Sequence, residues 1–140
     1  MKKVFLDTNI IMDFFLDRFP FSESASKLIY FGEDKKVELY ASPISFPNIY
    51  YMMRKTNSHN YLMDLFREFN KKVNTITVGP KMLNSSIESD FSDFEDAMQY
   101  CSAKQIKGAS VIVTRNKKDF AKSKLPVMTA EEYVKAMNVD

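Results

Sequence analysis

Lys3-Val4-Phe5-Leu6-Asp7-Thr8-Asn9-Ile10-Ile11-Met12-Asp13-Phe14-Phe15 is the stretch that decides the fold. Its first part is a short apolar run that leans toward strand and stops at an acid. Ile10, Ile11, Phe14 and Phe15 then recur at helical spacing. A strand that feeds a helix through a polar turn opens a β-α unit. The counterpart near the other end is Ser110-Val111-Ile112-Val113-Thr114, whose consecutive β-branched residues suit a strand covered on both faces.

Between these runs, residues 22–34 carry Ala25, Leu28 and Ile29 at helical spacing, and residues 37–41 form a second short strand. Residues 43–55 and 61–71 read as helices, the first with Ile44, Ile49, Met52 and Met53 toward the core, the second with Leu62, Leu65, Phe66 and Phe69. Residues 73–78 are a third strand, and Gly79-Pro80 precedes a helix over 81–87. Ser92 with Glu95 makes a capping-box pattern for a helix running to about Gln105, with Gly108 as its terminator. Thr129 with Glu132 makes a second such pattern, for a last helix over 130–137. Short strands alternating with helices specify an α/β fold: a mainly parallel central sheet with helices on both faces.

The chain has 140 residues, the length of a single domain over 1–140. Only 3 glycines occur, which excludes Gly-rich phosphate loops because these need several closely spaced glycines. The single cysteine, Cys101, excludes an intramolecular disulfide framework; it falls on a helical stripe with Phe94, Ala97 and Met98 and itself reads as a buried small hydrophobe. The single histidine, His59, excludes two-histidine metal motifs, and its polar setting reads as a solvated helix entrance. No apolar run approaches the roughly 20 residues of a membrane span, and Asp7, Asp13 and Asp17 break up any signal-like segment, so the expected setting is cytoplasmic. Chemistry must come mainly from carboxylates, hydroxyls and amides.

In open parallel sheets, sites form beyond the carboxyl ends of strands. Three polar groups fall there: Asp7-Thr8-Asn9, the acids from Asp90 to Asp96, and Thr114-Arg115-Asn116 with Asp119. Asp93 and Asp96 share a helix face. Each acid read alone is also a helix cap or a dipole partner, but Asp96 lies too deep in its helix to need to be acidic for that purpose. Acids converging on one pole can hold a hard divalent cation, since Mg²⁺ takes oxygen ligands and commonly uses one or two carboxylates with water and phosphate. Two such ions about 4 Å apart can activate water and stabilise a leaving oxygen in phosphodiester hydrolysis.

Charge distribution agrees with that chemistry. The net charge is only +2, yet Glu88, Asp90, Asp93, Glu95 and Asp96 give −5 over residues 85–96 with no basic residue. Residues 104–124 give +6, with Arg115, Lys117, Lys118 and Lys122 placed to hold a nucleic-acid backbone through its phosphates. Read alone, the strip is also an ordinary solvated surface. Most of the aromatic and methionine side chains over residues 46–66 read as core, and Tyr50 and Tyr51 point to different helix faces. One of them is thereby available for stacking or for contact with a second copy.

Val4-Phe5-Leu6-Asp7-Thr8-Asn9, Asp93-Phe94-Glu95-Asp96-Ala97 and Val113-Thr114-Arg115-Asn116-Lys117-Lys118-Asp119-Phe120, in that order and spacing, resemble the PIN domain family. That family is a metal-dependent ribonuclease fold that includes toxin components of bacterial toxin–antitoxin pairs. The resemblance covers nearly the whole chain. It implies a three-layer α/β/α sandwich with a pocket of acids binding Mg²⁺ or Mn²⁺, RNA as substrate, and an antitoxin protein as partner. By the matching motifs, Asp7 and Asp96 are the central metal-binding acids, Asn116 falls where the family often has Asp or Asn, and Asp93 and Asp119 belong to the matching segments. Thr8 and Thr114, with Asn9, would orient metal-bound water. One position departs from the pattern: Asn48 stands where the family usually places a glutamate. An amide lacks the negative charge that helps hold a divalent ion, so a non-catalytic RNA-binding or interaction module is the competing expectation. A phosphoaspartate receiver or phosphohydrolase also puts an acid after the first strand, but those patterns want a further acid where Asn9 stands or paired acids at the strand end.

Overall fold

The computed structural model describes residues 1–108 and 110–139. Five strands form one parallel sheet: β1 (Lys2–Leu6), β2 (Val37–Ala41), β3 (Asn74–Thr75), β4 (Ser110–Val113) and β5 (Val127–Met128), in spatial order β3-β2-β1-β4-β5. The helices are α1 (Thr8–Leu16), α2 (Ser22–Glu33), α3 (Ser45–Met53), α4 (His59–Asn70), α5 (Pro80–Ile87), α6 (Phe94–Ala103) and α7 (Ala130–Val139), with a 3₁₀ turn at Lys117–Phe120. The register pairs Val4 with Leu39 on one side of β1 and with Val111 on the other.

Alternation along the central strands sends side chains into two cores, as the two-residue strand period requires. Val4, Leu6 and Val113 join Ile10, Ile11, Leu28, Ile49, Leu62 and Val134, so α1, α2, α3, α4 and α7 cover one face. Phe5 and Ile112 join Met82, Tyr100 and Phe120, so α5, α6 and the 3₁₀ turn cover the other. This is the three-layer α/β/α sandwich. β1 lies at its centre, and Phe5 and Leu6 are wholly buried.

The differences from the sequence reading have local causes. The helix expected to be capped by Ser92 begins one residue later: Asp93 Oδ1 accepts from the Asp96 N–H at 2.9 Å, because a carboxylate is a stronger acceptor for that orphan amide. Gly108 does not end α6, which stops at Ala103; it turns the chain toward β4 with φ at +88°. Strand three is two residues rather than six, because β2 ends at Ala41 and Pro43 lies just beyond, so after the Ile76 N–H bond to the Ala41 carbonyl the edge has nothing to pair with. β5 was not foreseen; two residues are too few to show a period, and Thr114 N–H to Met128 O at 3.0 Å secures it. Cys101 is buried as its stripe suggests, although Phe94 on the same stripe is exposed. The Thr129–Glu132 capping box forms in both directions, at 2.8 and 3.1 Å. His59 is exposed and is bonded to the Tyr50 hydroxyl at 3.0 Å.

Candidate active site

The strand order reverses between β1 and β4: the chain builds outward from β1 through β2 to β3, then returns to the opposite side of β1. The connections leaving these two strands therefore diverge and open a crevice beyond their carboxyl ends. A cavity of about 360 Å³ lies there, with Asp7, Asn9, Asp93, Asp96, Asn116 and Asp119 in its lining. A larger hollow of about 870 Å³ lies at the opposite pole, around Met1, Lys3 and Gly108; none of its lining residues is acidic.

Asp7 is buried, with both carboxylate oxygens engaged. Oδ1 caps α1 by accepting from the Thr8 N–H at 2.8 Å, and Oδ2 accepts from the Thr114 hydroxyl at 2.7 Å. The Thr114 oxygen in turn accepts from the Asn116 N–H at 3.1 Å and, more loosely, from the Asn9 amide at 3.4 Å. Asn9 Oδ1 accepts from the Arg115 N–H at 3.3 Å, which fastens the turn after β4 to the start of α1. Asp96 enters from α6, one turn from its cap Asp93, and among the described residues nothing donates a hydrogen bond to its side chain. Asp119 arrives on the 3₁₀ turn, whose start is held by its own N–H to the Asn116 carbonyl at 3.0 Å.

A network of buried hydroxyls and one amide lies beneath these groups. The Thr8 and Ser45 hydroxyls are 2.8 Å apart, and Gln99 Nε2 donates to both, at 2.8 and 3.0 Å. It joins α1, α3 and α6 directly under Asp7 and Asp96, so the position of each acid depends on the other's helix.

The electrostatics of the two central acids follow from this crowding. Burial pushes the Asp7 carboxyl up to about 6, against the lowering effect of the Thr114 hydroxyl and the Thr8 N–H, with Glu95 and Asp119 raising it further. Burial, then Asp93, Asp7, Asp119 and Glu95, push Asp96 up to about 7. Carboxylates raised this far face each other without a compensating cation. The donor set is all oxygen: carboxylates, the amides of Asn9 and Asn116, and the hydroxyls of Thr8 and Thr114. That chemistry fits a hard divalent cation and not a thiolate- or imidazole-seeking one. Among the described residues no three acids form a ligand cluster that by itself could hold a metal ion.

The other predicted residues are placed less centrally. Asn48 is half-buried on α3 and does not line the cavity; Met52, one helical turn on, does. Arg115 lines it, whereas Lys117 is paired with Glu132 at 3.0 Å, and Lys118 and Lys122 are exposed outside it. Arg18, Met12 and Gln99 carry no motif that marks them in the sequence, and Glu95 reads there as a helix-start charge. Gln99 was detectable as the polar residue one turn beyond Asp96, and Asp13 as an acid set among Ile10, Ile11, Met12 and Phe14.

Comparison with known proteins gives a consistent result. A family model described as a PIN domain matches residues 3–118. Ribonuclease VapC1 of Aquifex aeolicus (strain VF5) is 29% identical over 142 residues, covering 98% of this chain and 96% of that one. Among solved structures, VapBC-1 of nontypeable Haemophilus influenzae superposes with a TM-score of 0.66 at 16% identity, covering 92% of this chain and 98% of that one. A toxin–antitoxin complex of Klebsiella pneumoniae gives 0.67 at 22% identity, covering 91% and 97%.

Proposed function

The chain belongs to the PIN domain family, and from that premise we propose that it is a ribonuclease of the toxin type, hydrolysing RNA phosphodiester bonds with Mg²⁺ or Mn²⁺ as cofactor. The observation that carries this reading is the convergence of Asp7, Asp93, Glu95, Asp96 and Asp119 from separate parts of the chain on one cavity at the switch point of the sheet. The curated relative is named as a ribonuclease, and one of the solved structures of like fold is described as a toxin–antitoxin complex.

In this reading Asp7 and Asp96 hold the cation, with Asp93, Asn116 and Asp119 completing the donors around it. When bound, the ion supplies Lewis acidity and lowers the pKa of a coordinated water to a value useful near neutral pH. Thr114 keeps Asp7 oriented through its 2.7 Å hydrogen bond, and Thr8 joins that acid to the Gln99 network. Asn9 fixes the turn that carries Asn116. Asp93 keeps one oxygen for its helix cap and has the other for the site. Arg115 and, more peripherally, Lys117, Lys118 and Lys122 bear the positive charge facing an RNA backbone.

The proposed setting is cytoplasmic, with the chain acting as a single domain over 1–140; no helix of the described residues is long and apolar enough to cross a membrane. An antitoxin protein and a second copy of the chain are the proposed protein partners, and Tyr51, Met52 and Tyr61 leave apolar surface exposed on α3 and α4. The test is cleavage of a structured RNA by purified protein with Mn²⁺ or Mg²⁺. The reading expects that a chelator stops the reaction and that Asp7→Asn and Asp96→Asn do the same. Cleavage that survives both substitutions would remove the site. The second reading, an RNA-binding module without catalysis, draws on Asn48 and the open donor set; salt-sensitive RNA binding with no heat of metal binding in calorimetry would select it.

A further inference from the structure

The gathering of acids creates a difficulty for the substrate proposed above, because a phosphodiester is itself an anion. The lysine strip does not answer it: Lys117 Nζ is held by both oxygens of Glu132, at 3.0 and 3.1 Å, and Lys118 and Lys122 do not line the cavity. The positive charges on the cavity wall are Arg18 and Arg115. Both are anchored by Asp13, whose side chain is completely buried in α1. Arg115 Nε donates to Asp13 Oδ2 at 2.8 Å, and Arg18 Nε lies 3.4 Å from Oδ1 as an ion pair without hydrogen-bond geometry. The Arg115 guanidinium also lies over the Phe21 ring, 4.2 Å from its centroid.

A guanidinium has five N–H donors, one at Nε and four at Nη1 and Nη2. Both arginines turn Nε toward Asp13, and among the described residues no hydrogen bond is made by an Nη group of either. The unspent edge is the planar fork that matches a pair of phosphate oxygens. Anchoring also has an electrostatic role. An unrestrained arginine beside Asp7 and Asp96 would pair with them; one committed to Asp13 keeps its charge for a ligand.

We propose that Arg18 and Arg115, held by Asp13, form a phosphate clamp on the wall of the cavity, receiving the non-bridging oxygens of a nucleic-acid phosphate. Identifying that phosphate as the one cleaved rests on the ribonuclease reading; the clamp rests on the geometry of the three side chains. Asp13 is a positioning residue, acting through the arginines.

The test uses the full chain and thymidine 3′,5′-bisphosphate as probe, with calorimetric titration of the probe and, separately, of Mn²⁺. Arg18→Gln leaves the Arg115–Asp13 pair in place and Arg115→Gln removes it, so the first guards against a folding artefact in the second, with melting curves for both. The clamp predicts that each substitution weakens bisphosphate binding by about 10- to 100-fold, while Mn²⁺ binds as tightly as before or more tightly. Unchanged bisphosphate affinity in both variants, or no binding by the parent protein, overturns it. Joint loss of bisphosphate and Mn²⁺ binding with a lowered melting temperature in Arg18→Gln also overturns it, by making these residues a structural staple. A parent protein that cleaves no RNA but binds the bisphosphate through the arginines would uphold the clamp and remove the ribonuclease reading.

Discussion

Asp7 and Asp13 are both buried, and they flank the same short stretch of chain, one capping α1 and the other inside it. Asp13 faces two arginines. Asp7 faces other acids and, among the described residues, accepts hydrogen bonds only from one hydroxyl and one N–H. The contrast separates two uses of a buried carboxylate. Where the fold supplies the counter-charge, the acid belongs to the framework; where it supplies none, a charged ligand must do so, and the empty electrostatic position marks the site. Burial still raises both acids above the usual carboxylate range, because the arginines beside Asp13 only partly offset its desolvation.

Substitution breaks this comparison most sharply at the acids without a partner. Asp7→Asn preserves the helix cap, since asparagine caps as well as aspartate, and so removes charge with little structural change. RNA cleavage should fall by about 1,000-fold or more in Asp7→Asn and in Asp96→Asn, measured as single-turnover rates, with near-native melting temperatures. Asp13→Asn should do the reverse to stability: two arginines lose their shared anion, and breaking a buried pair costs about 3 kcal/mol. A urea melt of Asp13→Asn that overlays the parent curve would remove the distinction.

The pH dependence sharpens it. Asp7 and Asp96 have folded-state values of about 6 and 7, above those of an unfolded chain. The folded state therefore holds these protons more tightly, and stability linked to them is present at low pH and lost as pH rises through 6 to 7. Metal-free protein should accordingly melt at a lower temperature at about pH 8 than at about pH 5, and Asp96→Asn should flatten that slope. Added Mn²⁺ should restore stability only on the alkaline side, where the acids are ionised.

Smaller effects are expected from the supporting network. Gln99→Leu removes the two hydrogen bonds that Gln99 Nε2 donates to Thr8 and Ser45 and should cost about 1–3 kcal/mol, together with a weaker Mn²⁺ affinity because α6 is no longer tied to α1 and α3. Thr129→Ala, at the far end of the chain, should cost about 1 kcal/mol through the lost cap and leave cleavage unchanged.

How far the sequence could be read follows the range of the interactions involved. β1, β2 and β4 were legible because each is an apolar run long enough to show strand character. β3 was legible as a strand but not in its length, and β5 was not legible at all, because the extent of a two-residue edge strand depends on where its neighbour stops. Asp7, Asp93, Asp96, Asn116 and Asp119 were legible as polar residues beyond strand ends or at a helix start, and the fold brings all five to one cavity. Of the arginine wall, Arg115 was legible as a phosphate-binding charge, whereas Arg18 was not. Arg18 follows a left-handed residue, Asp17, at the end of α1 and turns back onto Asp13, and only the tertiary fold brings Arg115, from the turn after β4, to the same carboxylate. The basic strip was legible as charge along the chain, but Lys117, Lys118 and Lys122 do not line the cavity, because local charge density does not specify the side on which a side chain emerges.

The central claim is that Asp7 and Asp96 form a cation site that the fold leaves without a counter-charge. Calorimetric titration of Mn²⁺ into the parent protein and Asp96→Asn at about pH 8 tests it most directly, since the acids are ionised there. The account predicts saturable binding by the parent, loss of affinity by about 10-fold or more in the variant, and weakening of parent binding as the pH is lowered through 7 and 6. Equal Mn²⁺ affinity in the two proteins, or no binding by either, would contradict it.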